Sequence, residues 1–211
     1  MLLAVKQASK AYPPDVLRSL PGLLPWFEPI IASGSVLTKV PTHQQALMML
    51  LNGLQPTGVT TIALDRNNLA ASLGAAASVA PLLTIQSLDA ANFVNLCTII
   101  SPVGKAPLGT PILRVRMTTE DGKESELEVR HGSLAAIRLP VGQAGSLHLT
   151  PLHRFDVGMG GLGRGGTVKV IGGALGVVID ARGRPLRLPA EPSRRRDLLN
   201  KWQASAGSGQ H

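Results

Sequence analysis

A strand, a tight turn and a helix follow one another in residues 29–56, and this unit constrains the fold more than any other stretch. The segment PIIAS predicts a short apolar strand, and Ser33-Gly34-Ser35 predicts a turn of small residues. THQQALMMLLNGLQP then predicts a helix that Thr42 caps and Pro56 stops. Because GVTTIALD follows as a second strand, we expect two neighbouring parallel strands.

The Ser33-Gly34-Ser35 turn is a candidate ligand contact. Small residues at the carboxyl end of a strand leave room for a ligand close to the backbone, as in nucleotide-binding α/β folds. The ordinary alternative is that the turn only joins two elements. Asp65 ends the second strand and is the best single carboxylate candidate, although it is equally suited to capping the next helix. That next helix is rich in small residues around Gly74, which allow close approach of a ligand or of a packed sheet.

The remaining pattern divides the chain near residue 105. We expect an α/β half over residues 1–105, with a first helix over 2–12, another over 82–93 and an apolar strand over 96–100. A segment rich in Pro and Gly then leads into residues 106–211. There, a hairpin turning at Asp121-Gly122 and four further short strands predict a small all-β barrel or sandwich, followed by a helix over 194–204 with Ser193 as its cap and a frayed tail.

Composition excludes several classes of protein. No apolar run reaches the roughly 18 residues that cross a bilayer, and the N-terminus does not resemble a signal peptide. The single cysteine, Cys97, excludes a disulfide framework, suits the cytoplasm and is expected to be a buried filler. The net charge of +8 lies mainly in the C-terminal half, which suits a solvated basic face or an acidic partner. Only 3% of the residues are aromatic, which argues against stacking on nucleic acid.

Two basic or glycine-rich segments are candidate contacts for an anion or a partner. DVGMGGLGRGG contains G-x-G-x-x-G, but a strand-like segment follows it, so we reject a dinucleotide site. Gly160, Gly163 and Arg164 can still hold an anion; the simpler alternative is a mobile connection between strands. In ARGRPLRLP, Arg182 and Arg184 are suited to phosphate or to a partner's carboxylates, and the alternative is an exposed turn. We find no metal-ligand spacing and no catalytic motif.

Several segments together resemble the C-terminal half of the glutamate mutase L family. The similarity runs from about Pro29 to Trp202 and is most specific in its last blocks. The segments that carry it are IIASGSVLTKVP, ALMMLLNGLQPTGVTTIALD, LGAAASV, ISPVGKA, VIGGALGVVIDARGRPLRLP and RRRDLLNKW.

The resemblance implies a ribonuclease-H-like half of an actin-like ATPase fold, in the superfamily of sugar kinases and Hsp70. IIASGSVL is similar to the adenosine motif of that superfamily, so Ser33, Gly34 and Ser35, with Asp65 and Gly74 nearby, would contact ATP or ADP with Mg²⁺. Ala32-Ser33 stands where a pair of glycines is more usual. Family members are thought to maintain or reactivate adenosylcobalamin-dependent mutases, which implies an accessory role with such a mutase as partner.

No acidic D-x-G-x-T phosphate turn follows an apolar strand, so the first ATPase half is expected to be missing. A phosphoryl-transfer site of this kind needs both halves around the phosphate. We therefore expect no catalytic activity unless a separate N-terminal half completes the site. The competing hypothesis is a non-enzymatic interaction module that docks through the basic β-rich part. A third hypothesis is a nucleic-acid binder.

Overall fold

A computed structural model describes residues 27–87 and 92–207. The helix predicted over residues 2–12 and the last four residues of the predicted tail lie outside these ranges. Within these ranges the chain forms nine strands, β1 to β9 in order: Ile30–Ala32, Gly58–Asp65, Phe93–Ser101, Pro111–Thr119, Glu124–Arg130, Leu134–Ile137, Ala144–Pro151, Gly166–Ile171 and Val177–Asp180. The same ranges contain five helices, α1 to α5, which span Ser35–Thr38, His43–Leu54, Ala70–Ala76, Pro81–Ser87 and Pro192–Gly207.

The first sheet has five strands in the order β1-β2-β3-β9-β6. As predicted, β1 and β2 are parallel neighbours, and α2 connects them. The Thr42 hydroxyl caps α2 by accepting a hydrogen bond from the Gln45 amide. The third strand runs antiparallel to β2, while β9 is parallel to β3 and antiparallel to β6. Five strands of mixed direction therefore form the layer on which the helices pack.

The second sheet has four antiparallel strands in the order β5-β4-β7-β8. The predicted hairpin at Asp121-Gly122 joins β4 to β5, and Gly122 adopts a φ of +78°, which suits glycine in a tight turn. Both ends of this sheet are edge strands, so it is an open sheet that packs on the first one. The protein is thus a mixed α/β fold with two sheets and a C-terminal helix.

Two apolar clusters cover the two faces of the five-stranded sheet. Helices α2 and α5 pack on one face, where Leu47, Leu51 and Trp202 belong to the same apolar cluster as Ile62. The four-stranded sheet packs on the other face. Alternation along β9 joins the clusters, because Val178 belongs to the first and Val177 and Ile179 to the second.

The predicted elements need four corrections. The helix predicted over 82–93 ends at Ser87 within the described residues, and Phe93 begins β3, where it lies opposite Asp65 at the end of β2. Two strands predicted for the β-rich part, β6 and β9, lie in the five-stranded sheet, so the sheets do not divide near residue 105.

The last helix begins at Pro192, which suits a first helical position, so Ser193 lies inside it rather than capping it. The same helix continues to Gly207, where a frayed tail was expected.

None of the helices in the described ranges is long and apolar enough to cross a membrane.

Candidate functional site

The structure brings Ser33, Gly34 and Asp65 together at the carboxyl ends of β1 and β2. The Ser33 hydroxyl donates to Asp65 Oδ2 at 3.0 Å and lies 3.3 Å from Asn68 Oδ1. The Gly34 amide donates to the same Asn68 oxygen at 2.7 Å. Parallel neighbouring strands end at the same edge of a sheet, which is why residues more than 30 positions apart in sequence meet here. Ser33, Gly34 and Asp65 therefore lie together with Asn68, and their polar groups satisfy one another.

Asp65 is fully buried and caps the turn that leads into α3. Its Oδ1 accepts from the Leu69 amide at 2.9 Å, and its Oδ2 accepts from the Ala70 amide at 2.8 Å. Burial alone would raise the pKa of Asp65, but the hydrogen bonds from Ala70, Leu69 and Ser33 lower it below the usual carboxyl value. The capping role that was the ordinary alternative is thus present in the structure.

The other two residues predicted for the nucleotide site lie outside this cluster. Ser35 is the first residue of α1, and its exposed side chain takes no part in the hydrogen bonds of Asp65 and Asn68. Gly74 is exposed in the middle of α3, where a Cβ would meet nothing within 4 Å. No residue of α3 is buried, so close helix–sheet packing does not explain its small residues.

A cavity of about 300 Å³ opens beside this cluster, on the face of the sheet that carries the helices. The end of β2 supplies Leu64 and Arg66, and the start of α2 supplies Thr42 and His43. The Arg66 side chain is exposed and forms no salt bridge within residues 27–87 and 92–207. The first turn of α2 adds partial positive charge from its backbone amides. This arrangement is suited to an anionic group.

Sequence reasoning missed Arg66 and Asn68. Asn68 adopts a φ of +55°, a left-handed conformation that Asn tolerates better than most residues, and its side chain thereby reaches back to the Ser33-Gly34 turn. The Asn-Asn pair after the strand was a usable signal for such a turn. Arg66 had no comparable signal, because one arginine after a strand is common.

The glycine-rich loop between β7 and β8 lies apart from this edge. Gly160, Gly161 and Gly163 all have positive φ, and the Gly163 amide donates to the Phe155 carbonyl at 2.8 Å. The exposed Arg164 side chain folds back over Gly160, with its Cδ 3.9 Å from a Cβ placed there. The loop has a defined hydrogen-bonded path, and its contact with an anion stays a prediction.

Arg182 and Arg184 are buried, and their guanidinium groups bind Asp180. Arg182 Nε and Nη2 each lie 2.8 Å from an Asp180 oxygen, and Arg184 Nη2 lies 2.7 Å from Oδ2. Burial alone would raise the pKa of Asp180, but Arg184 and Arg182 lower it far below its usual range. The carboxylate that these arginines hold therefore belongs to their own chain, and neither presents a free guanidinium group at the surface.

The basic character of the second sheet is largely balanced. On its outer face Arg114 lies 3.2 Å from Glu126, and Arg130 lies 3.0 Å from Glu128. Helix α5 adds further exposed positive charge at Arg194, Arg195 and Arg196. Among the described residues, no group of three or more His, Cys, Asp or Glu side chains could hold a metal ion.

No family model matches the chain, and no curated protein and no solved structure matches it either.

Proposed function

We propose that this protein is a nucleotide-binding accessory protein whose ligand lies at the carboxyl-terminal edge of β1 and β2. The observation that carries the proposal is the cavity beside the Ser33-Gly34 turn, which an unpaired arginine and the start of a twelve-residue helix line together. An arginine beside the start of a helix favours the binding of phosphate groups, because the arginine donates charge-assisted hydrogen bonds and the helix amides donate further ones.

The Ser33-Gly34 turn shapes this site rather than binding the phosphates itself. Its amide and hydroxyl are occupied by Asn68 and Asp65, which hold the turn beside the cavity. Gly34 has a φ of +119°, which favours glycine at this turn, and there is open space around it. Arg66, His43 and the amides at the start of α2 are then the groups available to the ligand.

The residues at this edge do not fit the Mg²⁺ ion that the family resemblance implies. Both Asp65 oxygens accept hydrogen bonds from backbone amides, and the described residues contain no group of three or more His, Cys, Asp or Glu side chains that could hold a metal ion. Mg²⁺ is usually bound through one or two carboxylates and the substrate phosphates. We therefore propose binding of the nucleotide without hydrolysis, and we derive no step through a metal ion.

The actin-like architecture and the partner are part of the same proposal. A cavity of about 300 Å³ is at the lower limit of ligand sites, so it suits one portion of a nucleotide. A separate N-terminal ATPase half would supply the opposite wall. Nucleotide-dependent closure of the two halves would then act on an adenosylcobalamin-dependent mutase, as the resemblance to the glutamate mutase L family implies.

Calorimetry on the full chain with ATP, ADP, adenosine and inorganic triphosphate tests the proposal. We expect ATP, ADP and triphosphate to bind, and Arg66→Ala to weaken each by about tenfold because one charge-assisted contact is lost. The exposed Arg138 on the far side of β9 gives the matched control, Arg138→Ala, which should bind as the unmodified chain does. Absence of heat at millimolar nucleotide, or equal effects of the two substitutions, would contradict the proposal.

A second candidate function is a protein-interaction module, and one observation favours it. Helix α4 and the turn before it expose large apolar side chains: Val79 is 86% exposed, Leu82 75% and Ile85 66%. Exposed apolar patches mark interaction sites. This surface differs from the basic β-rich surface that composition suggested. Loss of a captured partner with Leu82→Ser, while nucleotide binding is kept, would identify this role.

A further inference from the structure

A second cavity, of about 380 Å³, lies between the start of α2 and the last turns of α5. Helix α5 lines it with one face, through residues at positions i, i+3, i+4 and i+7: Asn200, Gln203, Ala204 and Gly207. The start of α2 supplies Thr42 and Gln44. Because these two residues also line the cavity beside Arg66, the two cavities adjoin at the first turn of α2.

Three carboxamide groups surround this second cavity, and they belong to Gln44, Asn200 and Gln203. None of the three forms a hydrogen bond to another side chain or to the backbone within residues 27–87 and 92–207. Asn200 is exposed, and the two glutamines are partly exposed. A carboxamide carries both an acceptor oxygen and two donor hydrogens. The cavity therefore presents donors and acceptors that the described part of the chain leaves unused.

Small residues form the α5 side of the cavity between these carboxamides. A Cβ placed at Gly207 would lie 2.8 Å from Gln44 Nε2, so the absence of a side chain there lets Gln44 lie close to α5. Ala204 is exposed and adds only a methyl group. The surface between the carboxamides is therefore low, and it suits a flat ring that lies against the helix.

The two adjoining cavities differ in charge. The cavity beside Arg66 combines that side chain with the positive end of α2. None of the described residues that line the second cavity is charged, and the carbonyl groups at this end of α5 carry partial negative charge. Phosphate groups are therefore favoured beside Arg66, and a neutral group that donates hydrogen bonds is favoured beside α5.

We propose that the second cavity holds the base of the nucleotide and that it selects adenine through Gln203 and Asn200. This inference rests on the proposed function, since phosphates beside Arg66 bring the base to the adjoining cavity. Adenine presents an amino donor beside a ring-nitrogen acceptor, and one Gln or Asn carboxamide can bind both. Guanine presents two acceptors at the same edge and is bound best by arginine or lysine, neither of which lines this cavity.

Calorimetry on the full chain with ATP, GTP and inorganic triphosphate tests this inference. We expect ATP to bind about fivefold or more tightly than GTP and triphosphate, because only adenine gains the hydrogen bonds to the carboxamides. Gln203→Ala should weaken ATP about fivefold and leave triphosphate unchanged. The control Gln86→Ala removes an exposed glutamine of α4 and should change the affinity for neither ligand.

A second variant, Ala204→Leu, tests the shape of the cavity. The added side chain occupies the place of the ring, so the affinity for ATP should fall to that for triphosphate while triphosphate binds as before. Equal affinities for ATP, GTP and triphosphate would overturn the inference and leave the proposed function standing. An equal loss of ATP and triphosphate binding in Gln203→Ala would also overturn it. Absence of binding by both ATP and triphosphate would overturn the proposed function as well.

Discussion

Asp180 lies at the centre of a buried network of charged side chains. Its carboxylate binds two buried guanidinium groups, and Arg182 also lies over the Trp202 ring, 4.9 Å from the centroid. Arg182 further binds Asn52 of α2, and Arg184 binds the Pro56 carbonyl. One network therefore joins β9 to α2 and α5. Removing one partner of a buried ion pair is costly because the other charge stays buried.

We predict that Asp180→Asn lowers the free energy of unfolding by about 3–5 kcal/mol, because two guanidinium groups lose their counter-charge in the interior. Urea denaturation monitored by circular dichroism gives the value. Asp121→Asn is the control: its pair with Lys123 is on the surface at 3.3 Å, and exposed pairs contribute at most about 1 kcal/mol. Equal losses for the two variants would show that the buried network is not what stabilises the fold.

The pH dependence of stability follows from Asp180 and Asp65. Both carboxyl groups have a lower pKa in the folded chain than in the unfolded one, so the unfolded state binds more protons in acid. Their contribution is complete above the ordinary carboxyl pKa of about 3.9 and is lost as the pH falls toward the lowered values. The urea midpoint should be level near pH 6 and decline below about pH 4. A urea midpoint that rises as the pH falls would contradict this prediction.

At the scale of single elements, α3 differs most from its expected role. Its small residues predicted close approach of a sheet or a ligand, yet the helix buries no residue. We predict that Gly74→Ala raises stability by about 0.5–1 kcal/mol, because alanine is the better helix former and a Cβ there meets nothing within 4 Å. The shift of the urea midpoint measures this gain in stability.

A matched substitution separates this effect from a general response to alanine. Gly176 has a φ of +67°, and a Cβ there would lie 2.4 Å from the Ile137 carbonyl oxygen, so Gly176→Ala should be strongly destabilising. If Gly74→Ala instead lowers nucleotide affinity, Gly74 belongs to the ligand site as the family resemblance implies.

The positions of the helices and strands could be predicted from the sequence much better than the pairing of the strands and the contacts of the side chains. The unit β1–α2–β2 could be read from the sequence because its links are short and its pairing is local. Strands β6 and β9 were recognisable by composition, but their place beside β3 depends on pairing across long separations, which alternation does not encode. The same limit applies to Arg182 and Arg184: their pattern resembles an exposed turn, and only the fold shows that Asp180 and Asn52 enclose them.

At the scale of the whole molecule, the five-stranded sheet combines strands from both parts of the sequence. Because β9 contributes to both apolar clusters, we predict that the part of the chain that the structure describes unfolds in one cooperative transition. A fragment of residues 27–105 lacks β6 and β9 and should give a poorly dispersed amide spectrum. A well-dispersed spectrum of that fragment would support the division near residue 105 that composition suggested.

We propose that a nucleotide lies at the edge formed by β1, β2 and the start of α2, and chemical-shift mapping with ATP on the full chain tests this placement most directly. We expect concentration-dependent shifts centred on residues 33–44 and 64–68, with smaller changes elsewhere, and their loss in Arg66→Ala but not in Arg138→Ala. Shifts centred on the basic surface of α5, or an unchanged spectrum at millimolar ATP, would contradict the proposed site.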